Sequence, residues 1–195
     1  RRRICRVDSI KNRSNCMSDR LLAQETHMPW QARALGVADL TGLIAVQRAC
    51  YGDALVEGAD VFARRIASAA NCSLVLEQGG QVCAYLAAYR SQREKVTPLH
   101  GDFQAVAAAD TLYLHDMAVL PAWAGQGLAR ALMERLWRIA RAEGLHYSAL
   151  VSVQGSEAYW ARQGYAVHTL ADAEQRERLS GYGEGAVYML ADLRQ

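Results

Sequence analysis

Leu112-Tyr113-Leu114-His115-Asp116-Met117-Ala118-Val119-Leu120-Pro121-Ala122-Trp123-Ala124-Gly125-Gln126-Gly127-Leu128-Ala129-Arg130 decides how this chain reads. An apolar strand runs into a short turn, two glycines spaced by one residue follow, and an amphipathic helix begins at once. The first N–H groups of such a helix have no intrahelical acceptor, its dipole favours negative charge, and glycine lets an anion approach without meeting a Cβ. A phosphate site is expected here, and spacing excludes two of its common forms. A dinucleotide fingerprint needs Gly-x-Gly-x-x-Gly directly after the strand and an acid at the end of the next strand. Arg130 stands where the third glycine would be, Leu120 to Ala124 separate Val119 from Gly125, and the next strand, Tyr147 to Val153, runs into Gln154. A P-loop needs Gly-Lys-Ser/Thr, a tripeptide the chain lacks.

The segment resembles the acetyl-CoA motif of the GNAT superfamily of N-acetyltransferases, Arg/Gln-x-x-Gly-x-Gly/Ala, laid on Ala124-Gly125-Gln126-Gly127-Leu128-Ala129. Gly127 and Ala129 match, while Ala124 replaces the leading Arg/Gln and removes a side chain that usually helps hold the pyrophosphate. Downstream, Ser156-Glu157-Ala158-Tyr159-Trp160-Ala161-Arg162-Gln163-Gly164-Tyr165 is similar to the family's Phe-Tyr-x-x-x-Gly-Phe helix and strand. The resemblance implies an α/β fold, a GNAT-like mixed and mostly antiparallel sheet with helices on both faces. It also implies acetyl-CoA (coenzyme A) as cofactor. By that likeness Met117, Ala118 and Val119 lie along pantetheine, with the Met117 and Val119 backbones hydrogen-bonding it. Ala124, Gly125, Gln126, Gly127, Leu128, Ala129 and Arg130 hold the pyrophosphate, and Ser156 and Trp160 pack at the cofactor.

Composition agrees with one enzyme-sized domain. A chain of 195 residues that is 51% apolar can bury a full core. No apolar run approaches the roughly 18–20 residues that cross a bilayer, so a soluble, cytoplasmic protein with no membrane partner is expected. Cys5, Cys16, Cys50, Cys72 and Cys83 are odd in number and lack a Cys-x-x-Cys pair, which suits free thiols better than disulfides or zinc; no metal is expected. The net charge of +2 is uneven, because residues 1–20 carry +5 and the remainder −3. Residues 1–28 read as a basic N-terminal extension and 29–195 as the catalytic domain. A basic arm can bind nucleic acid through phosphates, but this one has no aromatic residue for stacking, so nucleic acid is not an expected partner. Homodimerisation stays open.

From Trp30 onward the periodicities alternate. Gln31 to Leu35 is a short strand. Asp39 caps a helix through Ala49, with Leu40, Leu43 and Ile44 on one face and Val46 at its edge. A second helix spans Ala59 to Ser68, with Val61, Phe62 and Ile66 inward. Cys72 to Glu77 and Gln81 to Tyr89 flank a Gly79-Gly80 hairpin turn, and a long polar stretch follows to Asp110. After the Leu112 strand, a helix from Gln126 to Glu143 carries a stripe of Leu128, Leu132, Leu136 and Ile139, with Glu134 and Arg138 paired outside and Gly144 as its stop. The Tyr147 strand, a helix over Ser156 to Gln163, and strands over Tyr165 to Leu170 and Ala186 to Leu193 complete the order. In a GNAT fold, the strands at Leu112 and Tyr147 splay apart to admit the pantetheine arm.

Acetyl transfer to an amine needs a base for the amine and a proton for the leaving thiolate. His115 is the candidate base, because histidine titrates near neutrality. Regular alternation puts Tyr113, His115 and Met117 on one face and Asp116 on the other, unless the bulge that the resemblance implies near Met117 to Val119 intervenes. The local sequence is similar to Leu-His-x-Leu-Ala-Val of arylalkylamine N-acetyltransferases, in which a histidine at this place lines the active site and a second stands where Tyr113 is. A relay of His115 and Tyr113 through water is the reading; the alternative for His115 is a core histidine bonded to a carbonyl. The family's acid, a tyrosine four residues before the glycine read as Gly164, is here Trp160, whose indole has no suitable proton. That leaves Tyr159 or Ser156 acting through water, or no acid at all, with Tyr159 as ordinary core the alternative. The likeness brings the acceptor, a small-molecule amine in the leading reading with polyamines, amino acids and protein N-termini also open, in near Tyr51, Asp53 and Glu57, whose acids would attract a cation or else be solvated loop residues. The leading expectation is an acetyl-CoA-dependent N-acetyltransferase of a primary amine, by direct attack in a ternary complex. The rival is a catalytically weak acyl-CoA-binding module.

Overall fold

The structure, a computed structural model, describes residues 30–51 and 55–194. The basic extension, Cys5, Cys16 and Asp53 lie outside them. Among the described residues seven strands form one sheet in the order β1-β2-β3-β4-β5-β7-β6: β1 (Gln31–Ala34), β2 (Leu74–Gln78), β3 (Gln81–Ser91), β4 (Thr111–Val119), β5 (Tyr147–Ser152), β6 (Ala166–Val167) and β7 (Val187–Asp192). Every pairing is antiparallel except β4 with β5. Helices α1 (Leu40–Cys50) and α2 (Ala59–Ala67) cover one face; α3 (Leu128–Ala142) and α4 (Glu157–Arg162) cover the other, and each face closes its own apolar core.

Helix α3 shows why the layers hold. Leu128, Leu132, Met133, Leu136 and Ala140 recur at i, i+4, i+5, i+8 and i+12 and are all buried against β2, β3 and β4. Burying each large side chain contributes about 1.5–3 kcal/mol. The stripe is turned slightly from the expected one, with Met133 and Ala140 central and Ile139 only partly buried. Glu134 pairs with Arg130 at 2.7 Å rather than with Arg138; Glu134 takes the charge one turn nearer the helix start. Likewise α1 buries Leu43, Val46 and Gln47, so Val46 is central and not at the edge.

Two local expectations change for stated reasons. Asp39 does not cap α1 with its side chain. Its carboxylate accepts from the Gly36 amide at 2.8 Å and from both terminal nitrogens of Arg33, at 2.7 and 2.6 Å, because a guanidinium is the stronger partner. A further helix, α5 (Ala173–Ser180), lies where the sequence periodicities assign no element. Its composition is almost wholly polar, so no apolar period marks it, but Asp172 caps it by accepting from the Gln175 amide at 3.0 Å. The strand expected over Tyr165 to Leu170 shrinks to Ala166–Val167.

The decisive irregularity is in β4. Against β3, Leu114 faces Ala88 and Asp116 faces Ala87, so His115 is an extra residue without a partner. Leu112 and Leu114 point to the α3 core, as do Met117 and Val119 beyond the bulge, while Tyr113 and Ala118 point to the α1 core. One inserted residue inverts the alternation. The expectation that Tyr113, His115 and Met117 share a face is therefore corrected.

Candidate active site

Strands β4 and β5 pair only from Thr111/Tyr147 to Leu114/Leu150, after which β4 continues without β5 beside it. The gap is a cavity of about 270 Å³ lined by Leu114, His115, Met117, Ser156, Tyr159 and Trp160, among others. Beyond the end of β4 the chain turns, exposes Ala124 through Gly127 and then starts α3. Gly125 and Gly127 have φ of +76° and +83°, a region costly for any residue with a Cβ. Among the described residues, nothing beyond the adjoining chain lies within 4 Å of where a Cβ would stand at either, so the space over them is open. Among the described residues no side chain caps α3, and its first-turn amides have no acceptor within the helix. Arg130 is exposed and reaches Glu134.

A smaller cavity of about 70 Å³ adjoins the first; Tyr51, His115, Asp116, Val151 and Val153 line both, and Leu55, Glu57, Leu99 and Tyr182 close the second. His115 stands between them with its side chain only 1% exposed. Its Nε2 is 3.2 Å from Glu57 Oε2, while Nδ1 has no partner among the described residues. Glu57, 3% exposed, is held from all sides. Arg65 binds it with two nitrogens, at 2.5 and 2.6 Å; the His100 amide donates to it at 2.7 Å; and the Gln47 side-chain amide clamps its backbone, at 3.1 and 3.0 Å. Arg65 itself is 1% exposed, donates to the Gly101 carbonyl, and lies between the rings of Phe62 and Phe103, 5.3 and 5.0 Å from their centres. Burial pushes the Glu57 carboxyl up, but the hydrogen bonds and charges of His115 and Arg65 outweigh it and hold the group well below the usual carboxylate range.

Because of the bulge, Asp116 is on the side of His115 and not opposite it. Tyr85 donates to its Oδ2, and Tyr51 Oη lies 2.7 Å from its Oδ1 and 2.7 Å from the Met117 carbonyl oxygen. Burial raises the Asp116 pKa, against the lowering effect of the two tyrosine hydroxyls.

The residues singled out in the sequence divide accordingly. His115, Met117, Ser156, Tyr159 and Trp160 meet at the cleft, which Tyr159 and Trp160 both line. Burial raises the Tyr159 pKa, and Ser156 is turned to the Val153 carbonyl and Ser152. Tyr51 joins the two cavities, and Glu57 is a partner of Arg65 and His115 rather than a free acid. Tyr113 lines neither cavity: its fully buried ring packs with Tyr89 at 5.3 Å in the α1 core. Ala118 is buried in the α1 core. Sequence reasoning missed Arg65, Gln47 and Tyr85. Only Arg65 leaves a trace, one turn after Phe62 on the apolar face of an otherwise amphipathic helix.

Residues 41–165, more than half of the chain, match the Acetyltransferase (GNAT) family. No curated protein sequence matches it. Among solved structures it is similar to the ribosomal-protein-S18-alanine N-acetyltransferase of Escherichia coli, at 20% identity and a TM-score of 0.60, over 84% of this chain and 94% of that one. It is similar also to the PaiA N-acetyltransferase of Thermoplasma acidophilum, solved with coenzyme A, at 13% identity and a TM-score of 0.61, over 85% and 99%. A third, the GphF GNAT-like decarboxylase solved with isobutyryl-CoA, gives 17% identity and a TM-score of 0.64, over 84% and 100%. At these identities the structures establish the fold and no reaction. The match over the central two-thirds of the sequence does more, and by it this chain belongs to the acetyltransferase (GNAT) family, enzymes that use acetyl-CoA.

Proposed function

We propose that this enzyme moves the acetyl group of acetyl-CoA directly to a small primary amine with an apolar body, and that His115 takes the amine proton. The observation that carries this reading is the pair of adjoining cavities with His115 in their common wall. The cleft side fits the cofactor: β4 has an edge without β5 beside it, and the open glycine turn with its uncapped helix start suits a pyrophosphate. When bound there, acetyl-CoA supplies an activated acyl group on a thiol leaving group.

The other cavity fits the acceptor. Leu55, Leu99, Val151, Val153 and Tyr182 make it mainly apolar, and the negative charge of Glu57 is already matched by Arg65. An amine is therefore recognised by its hydrocarbon body more than by its charge, which favours a phenethylamine or tryptamine-like compound over a polyamine. Glu57 can only accept, so its contact requires a proton on His115 Nε2, and in the neutral imidazole that places the lone pair on Nδ1. Arg65 and Gln47 fix Glu57, and Glu57 fixes the tautomer. The ring is thus pre-set as a base, and proximity in two adjoining sites provides the rest.

The test is thiol release from acetyl-CoA with a panel of amines, using His115→Gln beside the parent. Turnover with small aryl- or alkylamines, falling about 10²–10⁴-fold in the variant while acetyl-CoA affinity stays, is the expected result. Acetyl-CoA binding by the parent without turnover on any amine would favour a binding module instead.

A further inference from the structure

The α4 position that usually carries the family's acid is Trp160, so the leaving thiolate needs a proton from elsewhere. The contacts around Asp116 point to one. Tyr51 Oη lies at hydrogen-bond distance from two acceptors, Asp116 Oδ1 and the Met117 carbonyl, both at 2.7 Å, and Tyr85 Oη contacts Asp116 Oδ2. Three contacts need three protons. A carbonyl has none and an ionised carboxylate has none, so the two hydroxyls supply only two. A proton on Asp116 completes the set: Oδ1–H donates to Tyr51, Tyr51 donates to the Met117 carbonyl, and Tyr85 donates to Oδ2. Distances of 2.7 Å are ordinary for O–H···O and leave little room for an unbonded oxygen pair.

We propose that Asp116 is a carboxylic acid at neutral pH and that it supplies, through the Tyr51 hydroxyl, the proton taken by the departing thiolate. The proposal rests on the acetyl-transfer reading above. The groups facing Asp116 are Tyr51 and Cys50 at the end of α1, Tyr85 on β3, His115 beside it on β4, and Glu57 before α2. Neither of its hydrogen-bond partners is a cation, and the nearby Glu57 is already bound to Arg65. Burial accordingly holds its pKa above the ordinary aspartate value. Tyr51 is placed for the transfer because it lines both cavities.

The step balances. The bond from amine nitrogen to acetyl carbon forms and the carbon–sulfur bond breaks. The amine proton goes to His115 Nδ1, the Tyr51 hydroxyl proton goes to sulfur, and the Asp116 proton moves to the Tyr51 oxygen. One proton leaves the imidazolium to solvent and one returns from solvent to Asp116. Burial raises the Tyr51 pKa above the ordinary phenol value of about 10, so this hydroxyl alone is a poor acid toward the thiolate, whereas a carboxylic acid behind it returns a proton to the phenol oxygen as the first one leaves.

Two measurements test this. Infrared difference spectra of the free protein at neutral pH, parent minus Asp116→Asn, should show the carbonyl stretch of a protonated carboxyl; its absence overturns the proposal whatever the activity. With tryptamine as probe amine, Tyr51→Phe should lower kcat about 10- to 100-fold with the KM for acetyl-CoA within about 3-fold. Asp116→Asn should also lose the alkaline limb of the kcat profile while the acid limb stays. A purely packing role would instead move KM and leave both limbs. Unimpaired kcat in Tyr51→Phe overturns the relay and leaves acetyl transfer standing; a parent inactive on every amine overturns both.

Discussion

Replacing Glu57 by Gln separates what this carboxylate does for the fold from what it does for His115. Glu57 and Arg65 are 3% and 1% exposed, so the variant strands a guanidinium away from water. Removing one partner of a buried pair costs about 3–5 kcal/mol. Arg65 keeps the Gly101 carbonyl at 2.9 Å and its two ring faces, and Gln still offers one acceptor oxygen, which puts the loss near the lower end, about 3 kcal/mol. At about 2–4 °C per kcal/mol for a chain of this size, Tm falls by roughly 6–12 °C. Changing Arg65 to Met as well removes the stranded charge and should return most of that loss. Turnover behaves differently: an amide no longer demands the Nε2 proton, the other tautomer becomes accessible, and kcat drops about 10²-fold in both the single and the double variant. Scanning calorimetry and thiol release on the same preparations read both effects. A single variant within about 2 °C of the parent, or a double variant with restored turnover, would refute the reasoning.

Three variants have further defined outcomes. The Asp116 carboxyl binds its proton more tightly when folded, so the stability of the parent falls as pH rises from the ordinary aspartate pKa of about 3.9 toward the raised folded value. The Tm of Asp116→Asn relative to the parent should therefore increase between pH 4 and neutrality, whereas that of Glu57→Gln, whose carboxyl is held low, should approach the parent in acid, as thermal melts across pH will show. Trp160→Tyr puts a phenol at the family's usual acid position but gives up indole contacts with Tyr159 and Tyr165, at 5.1 and 5.5 Å. It should cost about 1–3 kcal/mol in denaturant melts and change kcat by less than about 3-fold, because the proton comes from elsewhere.

The parts of this molecule that are local in sequence were legible in it. Strand β4, the glycine turn and α3 follow from contiguous residues whose periodicity switches from two to 3.6, and the long apolar stripe of α3 leaves little freedom. What could not be read depends on contacts between distant residues. The bulge at His115 arises from register with β3, and nothing in Leu114-His115-Asp116 marks it, yet it decides that Asp116 stands beside His115. Glu57 reads as a loop acid until Arg65 and His115 are brought against it, and Tyr85 is one apolar-face residue of a strand until its hydroxyl meets Asp116. Helix α5 lacks any apolar stripe, and only its Asp172 cap was written locally.

The most direct test is calorimetric titration of acetyl-CoA into the parent and into Gly127→Glu. Gly127 has a φ of +83° and open space above it, so glutamate there adds both backbone strain and a negative charge to the pyrophosphate turn. Saturable one-to-one binding by the parent that weakens at least about 30-fold in the variant, about 2 kcal/mol by the usual conversion, is the expected result. No binding by the parent, or equal binding by both proteins, would contradict the placement of the cofactor between β4 and β5.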